Sequence, residues 1–103
     1  MMVRMSDGTI SLVNGEDFSR FSLLCCEAAC PPPGLISGNI EIESEKVAWI
    51  PISTVIQLRG QQATPAWISQ LERMVEKARP FGWIDDSRQR IRAHIELADS
   101  AAC

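Results

Sequence analysis

Two hydrophobic periods alternate along this chain, and the places where one gives way to the other divide it into elements. From Thr64 to Arg79 the bulky positions Trp67, Leu71, Met74, Val75 and Ala78 recur at steps of three and four, while Ser69, Gln70, Glu72, Arg73, Glu76 and Lys77 fill the opposite side. This spacing predicts an amphipathic helix. Thr64-Pro65 supplies its start, because the threonine oxygen accepts from an unpaired amide of the first turn and proline's fixed φ suits the first helical position. Pro80 and Gly82 end it.

A period of two follows. Trp83–Asp85 and Gln89–Leu97 predict a hairpin around Asp86, Ser87 and Arg88. In its second strand Ile91, Ala93, Ile95 and Leu97 share one face, and Arg90, Arg92, His94 and Glu96 the other. At the opposite end of the chain Asp7-Gly8 is a strong two-residue turn signal, which sets Met5 opposite Ile10, Val3 opposite Leu12 and Arg4 opposite Ser11. A third hairpin spans Asn39 to Ile50. With Ser44-Glu45 at its turn, Ile42 faces Val47 and Ile40 faces Trp49 inward, Glu43 faces Lys46 outward, and Ala48 and Ile50 also point outward. Pro51 removes a ladder donor, so Ile52 to Leu58 reads either as an edge strand or as a short helical turn.

Residues 16–30 admit two readings. Phe18, Phe21, Cys25 and Ala28 keep helical spacing, with Asn14 as a cap and Glu16 and Asp17 in the first turn; Phe21 to Cys26 also reads as a buried strand. Taking the helix, the order is strand pair, helix, strand pair, helix, strand pair. That order predicts an α+β fold: a single small domain over residues 1–103, with an antiparallel sheet of three hairpins and two helices on one face. Pro31-Pro32-Pro33-Gly34 reads as a stiff loop within the domain, and residues 98–103 as a frayed tail.

Length and charge narrow the function. A chain of 103 residues holds one core, and a net charge of -3 with a pI near 5.0 argues against general nucleic-acid binding. No apolar run approaches the roughly 18 residues of a membrane span, and Met1 to Gly8 lacks the apolar core of a signal peptide, so a soluble cytoplasmic protein is expected.

Four cysteines, Cys25, Cys26, Cys30 and Cys103, lack the paired spacing of a zinc ribbon or a redox motif. On a helix Cys26 and Cys30 would share a face, as two metal ligands do; the plainer reading is small core residues with reduced thiols, and neither a metal nor a cofactor is expected. His94 with Asp85, Asp86 or Glu96 lacks a nucleophile elbow, so no catalytic residue is assigned. Trp49, Trp67 and Trp83 read as core rather than as a stacking platform.

Alternate arginines on one strand face present planar forks to carboxylates, so Arg88, Arg90 and Arg92, with His94, form the expected partner-binding surface. Two plainer readings compete: protection of a sheet edge, and internal pairing with Glu41 and Glu43. The sequence thus points to a small non-enzymatic domain that binds another protein, as accessory subunit, adaptor or inhibitor, or that binds itself as a homodimer. The alternative is a small enzyme or metal-binding protein using His94 with an acidic residue, or the Cys25, Cys26 and Cys30 cluster.

Overall fold

The computed structural model describes residues 1–6, 9–26, 34–36 and 39–97. Within them lie eight strands and two helices: β1 (Met2–Ser6), β2 (Thr9–Val13), β3 (Ser22–Cys25), β4 (Gly34–Ile36), β5 (Ile40–Ile42), β6 (Val47–Pro51), α1 (Ile52–Arg59), α2 (Pro65–Ala78), β7 (Ile84–Asp85) and β8 (Arg90–Leu97). The fold is α+β. The strands form one sheet in the order β2-β1-β3-β8-β6-β5-β4, with β7 also paired to β8. The expected turn Asp7-Gly8, the prolines 31–33 and the tail 98–103 lie outside the described residues.

The first hairpin has the predicted register, with Met5 opposite Ile10, Val3 opposite Leu12 and Arg4 opposite Ser11. The next segment corrects the sequence reading. Asn14 does not cap a helix; it takes a left-handed φ of 53°, and its carbonyl accepts from the Asp17 amide at 3.0 Å to close a turn. The apolar run beyond it is the buried-strand alternative, β3. Its edges pair parallel with β1 and with β8, partners distant in sequence, and Leu23 and Cys25 are fully buried. So short a run carries no period that could reveal this. The sheet is therefore mixed rather than wholly antiparallel.

The middle hairpin is also corrected. Ile42 lies opposite Ala48 and Glu41 opposite Trp49, one residue away from the expected pairing. The connecting loop is longer than two residues, and the amides of Glu43 and Ser44 both donate to the Val47 carbonyl, at 2.9 and 3.2 Å. A slip of one residue exchanges the two faces of a strand. Ala48 and Ile50 thus enter the core opposite Ala93 and Ile91 of β8, and Val47 and Trp49 turn outward.

Ile52 to Leu58 resolves as helix α1. Pro51 ends β6 and occupies the helix N-cap position at φ -60° and ψ 139°, and the Ile52 amide donates to the Gln89 carbonyl at 2.9 Å. In α2 the Thr64 hydroxyl accepts from the Trp67 amide at 3.2 Å, Trp67, Leu71 and Val75 are buried, and the predicted polar side is exposed. Val55, Trp67 and Leu71 share one apolar cluster with Val3, Leu23, Ile50 and Ala93, so both helices cover the same face of the sheet. β8 lies mid-sheet, between β3 and β6, which removes edge protection as the reason for its charges.

Candidate functional site

The charge row on β8 divides into two parts. Arg90 is 12% exposed and faces inward to the domain's own acids: Nε and Nη2 donate to Asp85 Oδ2 at 3.2 and 2.8 Å, and Nη1 donates to Glu41 Oε1 at 3.2 Å. Its guanidinium also lies 5.3 Å from the centre of the Trp49 ring. Arg88 Nη1 stands 3.9 Å from the same Glu41 oxygen. Internal pairing therefore occupies Arg90 and engages Arg88. Glu43, the other expected acid, accepts instead from Trp49 Nε1 at 3.1 Å. The Ser87 hydroxyl and the Arg90 guanidinium hold the Asp85 carboxyl down at about 2, well below the usual aspartate range.

Arg92 and His94 behave differently. Both side chains are exposed on the outer face, and neither has an ion-pair or hydrogen-bond partner among the described residues, although the Arg92 amide donates to the Trp83 carbonyl at 2.7 Å. The strand registers set them in rows that cross the sheet. One row runs Val13, Met2, Ser22, His94, Val47; another runs Arg92, Trp49, Glu41, Leu35. The face is thus a mixture of apolar, aromatic, polar and charged side chains, with Glu41 the acid in the row of Arg92. Among the described residues no hydrogen bond or ion pair joins His94 to Asp85, whose oxygens accept from Ser87 and Arg90 instead.

A second feature lies where β3 and β7 share the edge of β8 that β6 leaves free. β7 pairs at Arg90 and Ile91 and β3 begins at His94, so a slot of about 290 Å³ opens at the break between them, beside the last turns of α2. Phe18, Phe21, Met74, Phe81 and Trp83 line it. Local structure explains their placement. After the 3-10 turn Arg79–Phe81, Gly82 takes a left-handed φ of 75°, which suits glycine, and the chain folds Trp83 back onto Phe81 with ring centres 4.7 Å apart. On the opposite wall, Trp67 Nε1 donates to the Gly15 carbonyl at 2.6 Å and its ring lies 5.9 Å from Phe18, which pins the loop carrying Phe18 and Phe21 to α2. Trp49 and Trp83 are corrections to the expected core placement; Trp67 is core as predicted. The sequence signal for the slot was two aromatics straddling Gly82 just after a helix stop.

Comparison with known protein families, with curated proteins and with solved structures finds no match.

The cysteines bring a further correction. Cys25 is a thiol buried in the core, whereas Cys26, at the end of β3, is disulfide-bonded, against the expectation of reduced thiols throughout. A cysteine with a partner thiol within reach can be oxidised whatever its sequence spacing, and that reach is a matter of tertiary structure. Cys30 and Cys103 lie outside the described residues. Among the described residues no cluster of three or more His, Cys, Asp or Glu is placed to hold a metal ion, and no helix is long and apolar enough to cross a membrane.

Proposed function

We propose that the protein is a small non-enzymatic binding module that docks another protein through the outer face of its sheet, with Arg92 and His94 at the centre of contact. The observation that carries this reading is the unengaged pair itself. In a row where Arg88 and Arg90 turn to Glu41, Arg92 and His94 project from the middle of the sheet beside Trp49 and Val47. Arginine next to an aromatic ring on an apolar background is the composition of interface anchors, and a mid-sheet position holds them rigidly. A second copy of the chain is one such partner, and an accessory or inhibitory role follows from binding without chemistry.

The test is reversal of both residues. Arg92→Glu with His94→Glu should leave the unfolding midpoint almost unchanged while lowering the self-association measured by sedentimentation, or the affinity for a partner identified by cross-linking, by about tenfold or more. Assembly and partner affinity equal to those of the unaltered protein would remove the face from consideration. A cytoplasmic setting goes with this reading. The disulfide at Cys26 fits an oxidising one, and thiol titration of protein prepared without reductant separates the two.

A further inference from the structure

We infer that the slot between β3 and β7 is a docking site for an acidic peptide segment that carries a large apolar anchor. The inference rests on the binding-module reading and adds the chemistry of the partner. Its first ground is the wall. Phe81 and Trp83 remain 66% and 43% exposed although they stack on each other, so two aromatic rings are held half-open to solvent where a docked side chain would bury them. A volume of about 290 Å³ accepts one or two large side chains and is at the small end for a free metabolite.

The second ground is charge. Arg20, Lys77 and Arg92 also line the slot, and among the described residues no Asp or Glu does. The larger groove between α1 and α2, about 750 Å³, has Glu72 and Glu76 among Arg73, Lys77 and Arg79, so it favours neither sign. An apolar anchor seated against Trp83 would place flanking carboxylates within the reach of three cations. Nucleic acid fits less well, because the chain's net charge of -3 repels a continuous phosphate backbone while leaving a local basic rim open to a short acidic segment.

Fluorescence anisotropy with two synthetic peptides tests the inference. Both carry a Trp-Leu anchor; one is flanked by Glu and Asp, the other by Lys. The acidic peptide should bind saturably and weaken as salt rises, and the Lys peptide should bind at least about tenfold more weakly. Trp83→Ala, and separately Arg20→Glu with Lys77→Glu, should each weaken the acidic peptide by about tenfold or more with circular dichroism unchanged. Phe81→Ser, at a more exposed ring, repeats the test should Trp83→Ala fail to fold. Equal binding of the two peptides, no saturable binding of the acidic one, or full affinity in the folded slot variants would overturn the inference. Arg92 borders both surfaces, so these variants leave it and His94 in place, and the outer face is read separately through His94→Glu alone, which changes no slot residue.

Discussion

Arg90 shows how one side chain can leave a functional surface and become part of the scaffold. It joins β7 to β8 through Asp85, reaches Glu41 on β5, and covers the Trp49 ring of the strand between. Removing it leaves two carboxylates facing an empty place, so Arg90→Ala should cost about 1 to 3 kcal/mol in denaturant unfolding at neutral pH. The same clamp has an acid signature. The Asp85 carboxyl titrates at about 2 in the folded protein against an ordinary 3.8, so its contribution is complete above roughly pH 4 and is lost as the pH falls toward 2. Asp85→Asn should flatten the pH dependence of stability within that window. An unaltered acid profile would show that the carboxylate is not held by Ser87 and Arg90 in solution.

Among the elements, α2 is the one whose own sequence suffices to place it. Its cap, its proline and its apolar stripe all agree, and the stripe faces the core as the period requires. Leu71→Ala should therefore cost about 2 to 5 kcal/mol, while Glu72→Ala on the wet side stays near neutral. Comparable losses from both in urea unfolding would mean the faces are reversed. β6 makes the contrary case. Its phase is not legible in the sequence, because Val47-Ala48-Trp49-Ile50 is apolar at every position and offers two acceptable inner faces. β8 decides between them by pairing Ala48 with Ala93 and Ile50 with Ile91.

For the whole molecule the central strand sets the hierarchy of stability. β8 bonds to β6 on one edge and to β3 and β7 on the other, and Ile91, Ala93 and Ile95 are all buried. Its amides should be the slowest to exchange with deuterium, approaching global unfolding, and those of β4 at the sheet margin should exchange far sooner. Uniform protection across β4 and β8 would contradict a sheet assembled around β8.

Local chemistry determined what is local in this protein. The first hairpin's register, the limits and buried side of α2, and the alternation of β8 each follow from residues within one element, whose caps, turns and periods act over a few positions. Only the tertiary structure decided the rest. Whether Ser22–Cys25 is strand or helix depends on β1 and β8 being there to pair with it, and which side of β6 is inner depends on β8. The candidate sites are of the same kind. Arg90 and Arg92 are alike in sequence and unlike in role because Glu41 and Asp85 lie beside one and not the other, and the aromatic slot gathers Phe18, Phe21, Phe81 and Trp83 from segments that meet only when β3 and β7 dock along one edge of β8.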